Sequence, residues 1–71
     1  MAESVYSVVS LVGTSTESWE KAAAIAIETA AGTVRDLRVA RVVEQDIHLE
    51  PGQALTYRVK LKLSFKYERQ P

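Results

Sequence analysis

The chain has 71 residues, with nine basic and nine acidic side chains, a formal net charge of zero at pH 7 and no cysteine. A chain of this length buries only about 60% of its unfolded surface on folding, and without cysteine it has neither a disulfide nor a thiolate metal site to compensate. The balanced charge argues against a nucleic-acid partner, which would require a general electrostatic attraction. The sequence has no long apolar run and no charged-then-apolar leader, so we expect no membrane partner, no export signal and a cytoplasmic protein.

The first predicted element is a strand over residues 4–12, which are rich in β-branched and aromatic residues. Its apolar residues occupy both parities, so we expect both of its faces to be covered, one by a helix and the other by a neighbouring subunit. Gly13 is predicted to end this strand.

A helix is predicted over residues 16–31. Thr14 and Glu17 have the spacing of a capping box, with Ser15 and Thr16 as alternative caps. Apolar residues then recur at positions 19, 22, 23, 26, 27, 30 and 31, the stripe of an amphipathic helix. Most of this stripe is alanine, which lets the helix backbone lie close to a sheet, and Gly32 is the predicted C-cap.

Two further strands are predicted over residues 38–50 and 54–68, joined by a tight turn at Pro51-Gly52. In the last strand every odd position from Leu55 to Tyr67 is apolar, the pattern of a half-buried strand. At ~3.4 Å per residue it would run on the order of 50 Å, whereas a globule of this length has a radius of gyration of about 11 Å. We therefore expect the overhang either to fray or to be covered by other copies of the chain, and the second outcome indicates a protomer built to assemble.

The turn also predicts the register of the hairpin. With Glu50 opposite Ala54, the apolar pairs are Leu49–Leu55, Ile47–Tyr57 and Val43–Leu61, and the charged pairs on the other face are Asp46–Arg58 and Glu44–Lys60. Val39, Val43, Ile47 and Leu49 share the apolar parity of the second strand. Arg41 and Val42 are out of phase, which indicates either a bulge or a segment covered on both faces.

These elements predict an α+β fold with β-α-β-β order, in which one amphipathic helix lies on one face of a three-stranded antiparallel sheet of order 1-3-2. No second helix is available for the other sheet face, so that face is expected to be solvated or to form an interface.

The sequence contains no arrangement typical of catalysis. His48 is the only histidine and has no neighbouring nucleophile, so we do not expect an enzyme. Glu44, Asp46 and Glu50 share one parity of the second strand and are candidate ligands for Ca²⁺, because hard cations take several carboxylate oxygens. The alternative is that Arg58 and Lys60 neutralise these carboxylates.

Several segments resemble the dodecin family. They are Val12-Gly13-Thr14-Ser15 before the helix, residues 38–46 (Arg-Val-Ala-Arg-Val-Val-Glu-Gln-Asp), Thr56-Tyr57-Arg58 and Leu63-Ser64-Phe65-Lys66, and the resemblance extends from about Val5 to Glu68. It implies a hollow homododecamer of non-enzymatic protomers, in each of which the sheet wraps around its own helix. It also implies binding of a flavin, riboflavin or FMN, held in pairs between symmetry-related tryptophans at a two-fold axis.

Two positions depart from the flavin-binding pattern. Where that pattern has the stacking tryptophan, near the start of the second strand, this chain has Val39, and where it has a glutamine that contacts the flavin ring, this chain has Arg58. Candidate cofactor-binding residues are therefore Val39, Gln45, Asp46 and Arg58, in an altered pocket. The departures look closest to the calcium-dodecin branch, which implies divalent-cation binding instead.

The sequence leaves three functions open. The first is flavin binding and storage by a dodecin-like shell, the second is calcium binding, and the third is an assembly or interaction protein without a bound small molecule. The expected partners are other copies of the chain and a small-molecule ligand.

Overall fold

The structure is a computed structural model that describes residues 3–67. Its elements are β1 (Tyr6–Ser15), α1 (Trp19–Ala31), β2 (Leu37–His48) and β3 (Thr56–Lys66). The strands form one antiparallel sheet of order β1-β3-β2, with β3 in the centre, as predicted. The predicted end of the last strand at Glu68 lies outside the described residues. No helix among residues 3–67 has the length and apolar content needed to span a membrane.

The transition from β1 to α1 differs from the prediction. β1 continues through Gly13 to Ser15, which pairs with Tyr57, and the helix begins at Trp19 instead of residue 16. The N-cap is Ser18, whose Oγ accepts a hydrogen bond from the backbone N–H of Lys21 at 3.0 Å. The predicted caps at Thr14, Ser15 and Thr16 are wrong. Pairing with β3 holds residues 14 and 15 in extended backbone, and Thr16 lies two residues before the N-cap.

The C-terminal end of α1 agrees with the prediction. Gly32 is the C-cap, with right-handed helical backbone (φ −73°, ψ −19°). The next two backbone N–H groups, those of Thr33 and Val34, donate to the Ala30 carbonyl at 3.0 and 2.7 Å. These bonds satisfy the Ala30 carbonyl, which the helix end would otherwise leave free.

Small residues bring the helix close to the sheet. The core consists of one alanine face of α1 against the inward side chains of β3: Ala22, Ala26, Ala30, Val59, Leu61 and Leu63. At the closest approach, a Cβ on Gly13 would lie 2.1 Å from the Ala22 carbonyl oxygen. Gly13 is therefore required by packing, and it lies inside the strand that it was predicted to end.

The β2–β3 register is confirmed at the turn end and wrong beyond it. Ile47 faces Tyr57, Asp46 faces Arg58 and Glu44 faces Lys60, but Leu61 faces Val42 instead of Val43. The register shifts between Val42 and Glu44, and again between Leu37 and Val39. The out-of-phase segment is thus a bulge at Val43.

The bulge reverses the parity of the first half of β2. Val39 pairs with Ser64 and Arg41 with Lys62, so both point away from the helix, whereas Val42 points towards it. The expectation that Val39 shares the inward face of Ile47 is wrong for this reason. β2 also ends at His48, so Leu49 and Glu50 lie beyond the strand.

Gly13→Ala should destabilise the protein by about 1–3 kcal/mol, because an added methyl group would overpack the helix–sheet contact. Gly32→Ala is the matched control, since its φ of −73° suits alanine and its Cβ would lie 3.4 Å from the Thr29 carbonyl oxygen. This second change should stabilise the protein by about 0.4–1 kcal/mol. Denaturant unfolding at one fixed protomer concentration measures both, and equal effects would contradict the packing role of Gly13.

Candidate functional site

The sheet face turned away from α1, called here the outer face, carries most of the candidate residues. The strand register, together with the burial of alternate residues of β3, shows which side chains point to this face. It comprises Tyr6, Val8, Ser10, Val12 and Thr14 of β1, Arg58, Lys60, Lys62, Ser64 and Lys66 of β3, and Val39, Arg41, Glu44, Asp46 and His48 of β2. Most of these residues are exposed, so the outer face is open in one chain.

Asp46 and Arg58 form a bidentate ion pair on the outer face. Arg58 Nε donates to Asp46 Oδ1 at 2.8 Å, and an Nη donates to Oδ2 at 3.0 Å. The hydrogen bonds from Arg58 hold the pKa of Asp46 below its usual value, and the same bonds raise the pKa of Arg58. Both carboxylate oxygens of Asp46 are thus engaged within the chain.

Glu44 lies beside this pair but does not form an ion pair among residues 3–67. It faces Lys60 in the register, but among residues 3–67 neither side chain is within salt-bridge distance of a partner. The two line a groove of about 230 Å³ together with Val12, Asp46 and Arg58. The groove therefore contains two carboxylates and two cations.

Glu50, the third candidate metal ligand, lies apart from the first two. It follows the end of β2, where its Oε1 is 3.2 Å from His48 Nε2. Within the described part of the chain, no three acidic, histidine or cysteine side chains converge on one point. One protomer alone therefore does not bring Glu44, Asp46 and Glu50 together.

The candidate flavin residues are also separated. Val39 pairs with Ser64, six positions along β3 from Arg58, which corresponds to about 20 Å at ~3.4 Å per residue. Gln45 pairs with Val59 and points to the opposite side of the sheet from Asp46. A single small molecule on one protomer cannot contact both Val39 and Arg58.

Gln45 lies beside a contact that the sequence did not predict. Trp19 donates from Nε1 to the Asp46 carbonyl at 3.1 Å and packs edge-on against Tyr57, with ring centroids 5.2 Å apart. A cavity of about 290 Å³ lies here between the helix and β2, lined by Trp19, Glu20, Ala23, Val42, Gln45 and Val59. The position of Trp19 at the start of the apolar stripe indicated packing, but not its hydrogen bond to β2.

Comparison with known proteins identifies the family. The model of the dodecin family matches residues 5–68. The chain belongs to the dodecin family. Among the relatives is calcium dodecin of Mycobacterium tuberculosis, 52% identical over 63 residues, which are 89% of this chain and 89% of that protein.

Two solved dodecin structures resemble this one closely. That of the M. tuberculosis calcium dodecin, described as calcium-chelating with a novel calcium-binding site, has a TM-score of 0.84 and 51% identity and covers 96% of this chain and 99% of its own. Dodecin from Streptomyces coelicolor has a TM-score of 0.88 and 33% identity and covers 99% of this chain and 100% of its own. The β-α-β-β fold with sheet order 1-3-2 is thus the dodecin fold.

The Asp46–Arg58 pair predicts a pH dependence. Because the pKa of Asp46 is lower in the folded chain than in the unfolded one, the pair stabilises the fold above the unfolded value of about 3.9. This contribution is lost as the pH falls through the folded pKa. Carboxyl ¹³C NMR should show Asp46 titrating below ~3.9 in the wild type and closer to ~3.9 in Arg58→Gln.

The control is Lys21→Gln on the exposed surface of α1, which should leave the Asp46 titration unchanged. An Asp46 pKa that is the same in the wild type and in Arg58→Gln would contradict the ion pair in solution.

Proposed function

We propose that this dodecin is a non-enzymatic, self-assembling protein of the cytoplasm that binds Ca²⁺. The observation that carries the proposal is the 52% identity, over 89% of the chain, to a protein named calcium dodecin. The groove supports it chemically, since Glu44 and Asp46 offer the hard oxygen ligands that Ca²⁺ prefers.

The surface of one chain supports assembly into a homododecamer. Large apolar side chains on the outer face are open to solvent, among them Val8, Val12 and Val39 at 56%, 57% and 53% exposure. The outer edges of β1 and β2 have no neighbouring strand within the sheet. Monomeric proteins rarely leave such apolar patches and long strand edges uncovered, and identical copies would cover both.

A calcium site on this face would need more than one copy of the chain. Ca²⁺ takes six to eight oxygen ligands, and the groove of one protomer offers the carboxylates of Glu44 and Asp46 beside the cations of Arg58 and Lys60. Symmetry-related grooves that meet in a shell would multiply the carboxylates around one ion. In this arrangement Glu44 and Asp46 hold the ion, and Glu50 is a further candidate ligand from another copy.

Calorimetric titration of chelator-stripped, full-length protein with Ca²⁺ tests the proposal, after light scattering has established the mass of the assembly. We expect saturable binding, weakened at least about tenfold by Glu44→Gln or Asp46→Asn, because each change removes an ionised ligand. Glu28→Gln on the exposed surface of α1 is the control and should bind as the wild type does. Absence of calcium uptake by the wild-type assembly would overturn the function.

Flavin binding is the second candidate, supported by the positions of Val39 and Arg58 on the same outer face. Their separation within one chain is compatible with a pocket that two copies share. Val39 provides no aromatic surface for stacking, a contact worth about 0.5–1.5 kcal/mol beyond buried area, and Arg58 is held by Asp46. Both features favour calcium over flavin in the native chain.

Riboflavin fluorescence separates the two candidates. The wild-type protein should leave the fluorescence of added riboflavin unquenched, whereas the double variant Val39→Trp/Arg58→Gln should quench it, because it restores the stacking ring and frees the groove. Val8→Trp/Arg58→Gln is the matched control, with an aromatic ring on β1 of the same face. Saturable quenching by the wild type would make flavin the native ligand.

A further inference from the structure

One row of the outer face places two cations directly side by side. Ser10, Lys62 and Arg41 are register partners across β1, β3 and β2, and we call them the cationic row. Directly opposed side chains have Cβ atoms about 4.5–5.5 Å apart, and like charges at that spacing destabilise the strand pair. The fold therefore retains a repulsive pair at the centre of an exposed face.

The surrounding acids do not neutralise this pair. Asp46 is occupied by Arg58. Glu44 is the next outward side chain along β2 from Arg41, but it directly faces Lys60. Among residues 3–67 neither Arg41 nor Lys62 forms a salt bridge. Arg41, Lys60 and Lys62 thus share one carboxylate, which leaves two positive charges.

Hydroxyl groups and apolar side chains flank the cationic row. Ser10 is its third member, and Ser64 is the next outward residue of β3 after Lys62. Ser64 lies between Val8 and Val39, both of which are more than half exposed. Two cationic donors and two hydroxyl donors therefore share one surface, with apolar side chains on one flank.

We propose that the cationic row binds a phosphate group, as the free anion or as a small phosphate monoester. A dianion would neutralise the excess charge, and charge-assisted hydrogen bonds from a guanidinium to phosphate are among the strongest that proteins form. The body of an ester would extend over Val8 and Val39. Neither Asp46 nor Glu44 would bind the phosphate, so phosphate binding can be measured in the absence of calcium.

A second copy of the chain is a poorer occupant. In a two-fold contact the same patch meets itself, so Arg41 and Lys62 of one copy would face the same two cations of the other. Such a contact would bring four positive charges together and would itself require an anion. Charge complementarity thus favours an anionic ligand whether the outer face is open or lies between copies.

Thermal unfolding of the full-length assembly in calcium-free Tris buffer tests the site, with inorganic phosphate as the probe and sodium chloride at matched ionic strength as the reference. Phosphate should raise the wild-type Tm by a few degrees, and this increase should level off as the phosphate concentration rises. Arg41→Gln should weaken the apparent phosphate affinity at least about tenfold, the effect of losing one hydrogen bond to a charged group. Lys21→Gln on α1 should respond as the wild type does.

Lys62→Glu makes the test sharper because it converts the repulsive pair into an attractive one. Without phosphate this variant should melt above the wild type, and phosphate should no longer raise its Tm. Phenyl phosphate distinguishes the sources: tighter binding than inorganic phosphate assigns the site to an ester, and equal or weaker binding assigns it to the free anion.

Two results would overturn the proposal. One is a wild-type Tm that phosphate raises no more than chloride does, and the other is a phosphate effect that survives in both Arg41→Gln and Lys62→Glu. The first of these results would have a specific explanation if Lys62→Glu also dissociated the assembly, as measured by light scattering. In that case an acidic side chain of another copy, and not phosphate, occupies the cationic row. Calcium titration of the same variants reports separately on the proposed function.

Discussion

The close approach of α1 to β1 is the constraint on which the rest of the structure depends. At Gly13 the strand backbone runs so near to Ala22 that even a methyl group would meet the carbonyl oxygen. Alanine at positions 22, 26 and 30 lets the helix keep this distance along its length. The core is consequently built from small side chains on the helix and from Val59, Leu61 and Leu63 of β3.

A thin core limits what one chain can stabilise alone. The protomer measures 56 × 20 × 14 Å, and its radius of gyration of 14.9 Å exceeds the ~11 Å expected of a globule of this length. An elongated sheet with one narrow helix has too little apolar material to cover both of its faces. The same geometry that brings helix and strand together therefore leaves the outer face and the free edges of β1 and β2 uncovered in one chain.

Sequence patterns predicted the features that depend on strict periodicity. The alternation in β3 identified its buried side chains, and the turn at Pro51-Gly52 placed Asp46 opposite Arg58. What failed depended on contacts between distant segments. Gly13 is locally a strand breaker, but the helix that requires it lies about ten residues further along, and pairing with β3 carries β1 past it.

The candidate site was only partly predictable for a related reason. Period-2 reasoning placed Glu44 and Asp46 on one face correctly, because both lie on the turn side of the bulge. It misplaced Val39, which lies beyond the bulge, and it could not anticipate that Trp19 bonds to the β2 backbone. The bulge leaves one residue of β2, Val43, without a partner on β3. The sequence shows where the apolar–polar alternation of β2 breaks, but it does not show which residue is the unpaired one.

The bulge at Val43 also accounts for the unusual charge arrangement of the outer face. Without it, Val42 would lie opposite Lys62 and point to solvent, and Arg41 would point towards the helix. The bulge turns Val42 inward beside Trp19 and sets Arg41 against Lys62. Without the bulge, Val43 would take the inward position opposite Leu61, so the bulge exchanges one valine for another on the inner face. The two valines are similarly exposed, at 50% for Val42 and 41% for Val43, so valine burial does not offset the opposed like charges, which destabilise the strand pair. An anion on the cationic row would remove that cost and leave both valines where they are.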